Sequence, residues 1–198
     1  MIKLTIQAIR QTLVWTAITG CIYPLVFTIF AQVAFKRQAE GSLITRNGEV
    51  VGSEFMAQQF TGAKYFWPRP SAATYGTGPT GLNASSGSNL GPTSAQLQTN
   101  VRANAKALRD AHKLAADAPV PADLVFASAS GVDPEISPAA ARFQVARVAG
   151  ARGMSEESVR SLVERFVQPP QLGFLGQARV NVLLLNLALD EADTKKSS

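Results

Sequence analysis

The stretch Leu13–Phe35, LVWTAITGCIYPLVFTIFAQVAF, decides how this chain is read. No charged residue occurs from Gln11 to Ala34. As a helix rising 1.5 Å per residue the run reaches about 35 Å, enough to cross a hydrocarbon core of ~30 Å with some tilt. Inside a bilayer an isolated segment satisfies its backbone polar groups only as a helix. One transmembrane helix is therefore predicted, with Pro24 able to kink it without ending it. Trp15 lies near enough to an end to act as an interfacial anchor, whereas Tyr23 does not.

Two processing signals compete with an intact anchor. A secretory signal has an apolar core of about 7 to 15 residues ending in a small-x-small site; this core is longer and lacks a clean site. Ile18-Thr19-Gly20-Cys21 looks like a lipoprotein cleavage box, and Cys21 is the sole cysteine, yet Ile22–Phe35 stays apolar where a lipoprotein turns polar. The uncleaved anchor is the expectation. With its one cysteine inside the span, the chain can form no internal disulfide, which is compatible with either compartment.

The 198 residues suit an anchor plus one domain of roughly 100 to 150 residues. The expected organisation is an anchor with basic flanks over 1–37, a soluble domain over 38–190 and a loose tail over 191–198. The formal charge of +5 suggests nucleic acid at first sight, but Lys3, Arg10, Lys36 and Arg37 flank the span and all 14 acidic residues follow Arg37. Removing those four from 19 basic residues leaves 15 against 14 in the domain. The excess belongs to the membrane flanks, and no nucleic-acid partner is expected. Similar basic strength on both sides leaves orientation undecided by charge.

Beyond the span, Ser42–Arg46 and Glu49–Gly52 surround Asn47-Gly48, the pair that tolerates two positive φ angles in a tight turn, so a β-hairpin is predicted. Lys64–Pro70, KYFWPRP, favours an extended segment. Phe66 is read as a core plug, and Arg69, stiffened between Pro68 and Pro70, could clamp a carboxylate or carbonyl. Ser71–Ser94 is read as a long folded loop. Three helices follow: one capped by Thr93 or Ser94 and carrying Leu97, Val101, Ala105, Leu108 and His112; one begun by Ser137-Pro138 and stopped by Gly150 and Gly153; one begun by Ser155 and carrying Val159, Leu162, Val163 and Phe166. Val180–Leu189 fits a buried strand or a helix, with helix favoured. The fold class is α+β: one N-terminal transmembrane helix, then a single mixed α/β soluble domain.

The chain is poor in autonomous chemistry. Gly76, Gly78 and Gly81 match GxGxxG, but Pro79 interrupts them and no helix starts at once, so the match reads as loop. No Walker-type GK[ST] occurs. His112 is the sole histidine, at a core-facing or boundary helical position, so it is read as packing. Metal sites of nitrogen and sulfur and Ser-His-Asp or Cys-His mechanisms lack their members. Asp133 and Glu135 are read as solvated acids before the Ser137 cap. Ser88-Asn89 could donate hydrogens to a ligand or serve a tight turn. No nucleophile, base and stabiliser assemble.

Six ordered blocks then carry a resemblance: the N-terminal span; Tyr65-Phe66-Trp67 with Arg69-Pro70-Ser71-Ala72; Gly87-Ser88-Asn89-Leu90-Gly91-Pro92-Thr93; Val120-Pro121-Ala122-Asp123-Leu124-Val125; Ser128–Pro134; and Arg179–Val182 with Leu185–Asp190. In these the chain resembles the C-subunit family of Kdp-type potassium-transporting ATPases over nearly its whole length. Glu135 stands where the family favours histidine, and Ser94 where asparagine is usual, so roles for those two side chains do not carry over.

The resemblance implies a non-catalytic accessory subunit of a bacterial inner-membrane pump. Its partners are a potassium-binding channel-like subunit, a P-type subunit that hydrolyses ATP, a small membrane peptide and the surrounding lipid. It implies a catalytic chaperone that raises the ATP affinity of the hydrolysing subunit, with ATP bound only within that complex and no cofactor held alone. It also implies a cytoplasmic N-terminus and an extracytoplasmic domain. ATP is cytoplasmic and one span cannot place one domain on both sides, so an external domain acts on ATP allosterically. Arg69, Ser71, Ser88, Asn89 and Asn181, all in the matching blocks, are the candidate partner-docking residues; no catalytic or metal residue is named. The competing reading is an anchored extracytoplasmic hydrolase, which requires activity in the chain alone.

An uncleaved anchor predicts that the protein purified from membranes retains its first twenty residues in an intact-mass measurement. Their loss would remove the anchor from the mature protein.

Overall fold

The computed structural model describes residues 1–73 and 85–197, with side chains through 193. The GxGxxG glycines and the middle of the Ser71–Ser94 loop lie outside the described residues. The chain divides into two compact units, Met1–Val51 and Gly52–Ser198.

The first unit is dominated by one helix, Ile2–Ala34, 33 residues long and apolar enough to cross a membrane, with none of its length buried. It starts well before Leu13, because Lys3 and Arg10 are good helix formers and nothing upstream breaks the helix. It comprises α1 (Ile2–Ala17), a π-helical turn (Ile18–Ile22) and α2 (Tyr23–Ala34). Pro24 lacks the N–H that would bond the carbonyl four residues back, and the wider π turn immediately before it absorbs that defect. Within that π turn the Thr19 hydroxyl donates to the Trp15 carbonyl at 2.7 Å. A short α3 (Lys36–Ala39) leads to β1 (Leu43–Arg46), which pairs with β2 (Glu49–Ser53). Asn47 and Gly48 join them at φ 53° and 85°, the two positive angles the sequence requires of this turn.

In the second unit serine caps set the helix starts. Ser94 accepts from the Leu97 amide ahead of α4 (Ala95–His112), Ser137 from Ala140 ahead of α5 (Pro138–Arg152), and Ser155 from Ser158 ahead of α6 (Glu156–Phe166). Between α4 and α5 lies a 3₁₀ turn, Ala122–Leu124. Three short strands, β3 (Glu135–Ile136), β4 (Val167–Gln168) and β5 (Arg179–Asn181), form an antiparallel sheet ordered β3-β5-β4. Val180 sits opposite both Ile136 and Val167.

The ambiguous block Val180–Leu189 divides between its two readings. Val180 is in β5, and α7 (Val182–Ser197) begins two residues later. The Asn181 carboxamide accepts from the Leu184 amide at 3.0 Å, the geometry of an N-cap, which is why strand turns to helix there. The helix carries on through 191–197, the stretch expected as a tail, where Asp193 pairs with Arg152.

The core gathers Phe66 with Val145 and Val148 of α5, Val159 and Val163 of α6, Val180 of β5, and Leu185 and Leu189 of α7. Arg142 fastens α5 to α6 with a bidentate pair to Glu164 at 2.7 and 2.8 Å, which draws the Glu164 carboxyl below its ordinary range.

Phe66 is fully buried within an extended segment, so its backbone needs partners. Asn186 provides both: its Oδ1 accepts from the Phe66 N–H at 2.8 Å and its Nδ2 donates to the Phe66 carbonyl at 3.0 Å. Asn186→Ala strands two buried groups at ~1–3 kcal/mol each. Denaturant unfolding of the detergent-solubilised chain is expected to show a loss of about 2–5 kcal/mol, well above that of Arg142→Ala, whose pair is solvent-exposed.

Candidate functional site: the braced aromatic segment and its surface

The segment 63–71 is tied to the helices by side chains rather than by a sheet. Gln144 on α5 repeats for Trp67 what Asn186 does for Phe66, accepting from its N–H at 2.8 Å and donating to its carbonyl at 3.1 Å. Arg147, one turn on, donates to the Ala63 and Tyr65 carbonyls at 2.6 and 3.0 Å and to Gln144 Oε1 at 2.7 Å. Its guanidinium lies 3.9 Å from the Trp67 ring centre. Burial lowers Arg147 from its ordinary value to about 10, which still leaves it charged at neutral pH. Arg152, with only 2 % of its side chain exposed, holds the Lys64 carbonyl while pairing with Asp190 and Asp193 on α7.

His112 closes this cluster at the end of α4, edge-on to Trp67 and 4.4 Å from the Phe143 ring. Its Nε2 accepts from Arg147 Nε at 3.3 Å, so the ring is neutral with its proton on Nδ1. Burial first, and the Arg147 charge second, lower it from 6.5 to about 4. The imidazole serves packing, as its place in the helical pattern indicated.

From Arg69 onward the segment reaches the surface loops. Arg69 Nη1 bonds Asp133 Oδ2 at 2.8 Å, so the stiff arginine does clamp a carboxylate, one belonging to its own domain. Its Nε is buried without a partner. Asp133 and Glu135 are half-buried and paired, the latter with Arg179 at 2.7 Å, which corrects their reading as solvated acids. The Ser71 hydroxyl donates to the Gly131 carbonyl at 2.6 Å and accepts from the Ala73 amide. Gly131, at φ 70°, lets 128–132 lie against Ala73 and Ser86, where any Cβ would collide with both.

The five docking candidates therefore differ in what they can reach. Asn181 is 4 % exposed, and its amide is shared between the Glu54 carbonyl and the start of α7. Ser71 is half-buried in the loop brace, and Arg69 is half-buried with one edge on Asp133. Ser88 and Asn89 are exposed, with Asn89 held at φ 52°. Arg69 and Ser71 come together on a cleft of about 400 Å³ floored by Trp67, Leu108 and Leu124 and edged by Phe60 and Asn104. A second, polar recess of about 450 Å³ lies between Asp133, Glu135, Ser137 and Arg179. Among the described residues no three His, Cys, Asp or Glu side chains converge on a metal site.

Reading the sequence alone missed Gln144, Arg147, Arg152 and Asn186. The available signal was a polar residue on a helical core face: Gln144 lies beside Val145 and one turn before Val148.

An exposed N-terminal helix long and apolar enough to cross a membrane, joined to a mixed helix-and-sheet domain, defines the class of this chain by its fold. The comparisons carry this further. The family profile described as KdpC, K+-transporting ATPase, c chain, matches residues 5–191. A relative from Methylococcus capsulatus is 52 % identical over 185 residues, covering 92 % of this chain and 95 % of its own. One from Sorangium cellulosum is 54 % identical over 185 residues, with 93 % and 96 % covered. One from Herpetosiphon aurantiacus is 50 % identical over 186 residues, with 93 % and 94 % covered. All three are named as the KdpC subunit of the potassium-transporting ATPase. The chain belongs to the KdpC family and is an accessory subunit of a K+-transporting ATPase.

The buried neutral His112 fixes a pH dependence. Below pH 6.5 the unfolded chain takes up a proton that the folded chain refuses until about pH 4. Its contribution to stability is complete above 6.5 and is lost as pH falls from about 6.5 toward 4. Since His112 is the only histidine, unfolding midpoints of the wild type are expected to fall more steeply over this window than those of His112→Gln. Parallel curves would remove His112 as the cause.

Proposed function

We propose that this chain assembles and stabilises a high-affinity potassium-uptake pump in the bacterial inner membrane. It packs its helix and domain against a potassium-binding channel-like subunit, an ATP-hydrolysing P-type subunit and a small membrane peptide. The N-terminus is cytoplasmic and the domain extracytoplasmic. The observation that carries this reading is the family match over residues 5–191, which takes in helix and domain together, so the anchor belongs to the conserved unit.

The chain acts as a catalytic chaperone without handling nucleotide itself. Its effect on ATP affinity is a coupling free energy, set by how differently it docks on two states of the pump. In support, the sequence has no Walker-type GK[ST], and the arginines Arg147 and Arg152 are spent on backbone carbonyls and carboxylates of their own domain. The hydrolase alternative has no observation in its favour: His112 is a neutral packing residue whose accepting nitrogen faces a guanidinium.

The docking surface is read as Arg69 with the exposed Ser88-Asn89 loop. Asn89→Gly tests that surface with the fold kept, because glycine holds the φ of 52° while removing the side chain; Arg69→Ala also releases Asp133. Each is expected to lower recovery of the co-expressed pump subunits by roughly tenfold, about 1.4 kcal/mol, and to slow potassium-limited growth. If both variants retain recovery and growth, docking is elsewhere. Photolabelling with an ATP analogue is expected to spare this chain in right-side-out vesicles and inside-out vesicles alike; labelling that needs cytoplasmic access would make the nucleotide a direct ligand.

A further inference from the structure

The ten-residue connection from β4 to β5, Pro169–Ala178, presents its apolar side chains to solvent. Leu172 is 82 % and Phe174 74 % exposed, with Leu175 beside them. The loop is built to keep them there. Gln171 and Leu175 exchange both backbone hydrogen bonds at 2.9 Å, and the Gly173 and Phe174 amides return to the Pro170 and Gln171 carbonyls at 3.0 and 3.2 Å. Leu172 sits at φ 53°, a conformation unfavourable for an L-residue with a side chain, between turns completed by Gly173 at 84° and Gly176 at 82°. Two prolines, Pro169 and Pro170, stiffen its entry.

We propose that this loop is an anchor seated in an uncharged apolar pocket on a neighbouring subunit of the pump; the proposal rests on the assembly reading above. Charge selects the occupant. No charged residue occurs from Val167 to Ala178. Elements that lie on anionic bilayers set an apolar face beside several Lys or Arg at headgroup level. Here the nearest bases are Arg165, at the end of α6, and Arg179, which is held by Glu135 at 2.7 Å. A neutral protein pocket makes no demand for such cations.

The backbone argues for side-chain recognition. Gln171 and Leu175, which would face an added strand, already pair with each other, and the Gly173 and Phe174 amides are turned back into the loop. The partner receives Phe174 and Leu172 as preformed anchors, at little ordering cost. The base of the same loop, Gln177–Arg179, borders the polar recess with Asp133, Glu135 and Ser137. An apolar centre beside a polar, ion-paired margin has the anatomy of a protein–protein interface.

The test uses the full chain co-expressed with the other pump subunits. Replacing Leu172 and Phe174 together by serine is expected to cut the recovered subunits at least tenfold, with the unfolding temperature of the solubilised chain unchanged. A photoactivatable benzoylphenylalanine at position 174 is expected to form its adduct with another pump subunit in native membranes. Full recovery with the double variant overturns the proposal, as does an adduct with lipid or with a second copy of this chain, or no adduct at all. If the wild type recovers no pump subunit, the assembly reading falls and takes this proposal with it. If only the loop variants behave as wild type, the loop proposal alone fails.

Discussion

The loop surface of the domain depends on how the extended segment KYFWPRP keeps its backbone satisfied while Phe66 enters the core and Trp67 packs against it. A lone extended strand has no neighbour to receive its N–H and C=O groups, and burying them unpaired is prohibitive. Pro68 and Pro70 remove two donors from the problem. Phe66 and Trp67 remain, and each is met by a carboxamide that offers one acceptor and one donor in the pattern of an adjacent strand edge. Asn186 from α7 and Gln144 from α5 thus replace a sheet. They succeed because both atoms of each amide are engaged; a half-satisfied amide in that position would be worse than an apolar one.

The brace propagates along the chain. Because residues 66 and 67 cannot move without breaking these bonds, Pro70 is fixed well enough for its carbonyl to accept the Ser128 amide at 3.0 Å. Ser71 then ties to Gly131, Arg69 ties to Asp133, and Ser85 and Ser86 both reach Ser130. A surface made of irregular loops acquires a fixed shape from two buried amides. Arg147 adds charge-assisted bonds and the Trp67 ring face to the same brace, and it stays charged because three carbonyl oxygens replace the water it lost.

What the sequence revealed and what it hid divides along contact range. The apolar run, the Asn47-Gly48 turn, the serine caps at 94, 137 and 155, and the burial of Phe66 are signalled by residues within a few positions of one another, so they could be read directly. The strands β3, β4 and β5 contain two or three residues each, too few for an alternation of faces to register. Their assembly is set by Val180 lying between Ile136 and Val167. The amide clamps join residues 77 and 120 positions apart, and the Arg69–Asp133 pair joins residues 64 apart. At the candidate surface the exposed Ser88-Asn89 loop was legible, but the internal commitments of Ser71 and Asn181 were not. Each side chain announces a hydrogen-bonding capacity, and only the fold decides where it is spent.

This economy of polar groups bears on how the accessory chain proposed above would act on its pump. A ligand or subunit shifts an equilibrium only by its differential affinity for the two states. Moving the braced segment, with its buried aromatics and fully engaged amides, strands hydrogen-bonding groups at ~1–3 kcal/mol each. The domain is thus suited to be a rigid element that fits one state of its partners better than another. On the function proposed above, such selective fit is sufficient to couple to nucleotide affinity without contact with ATP, since a subunit that favours the ATP-binding state is, by linkage, bound more tightly when ATP is present.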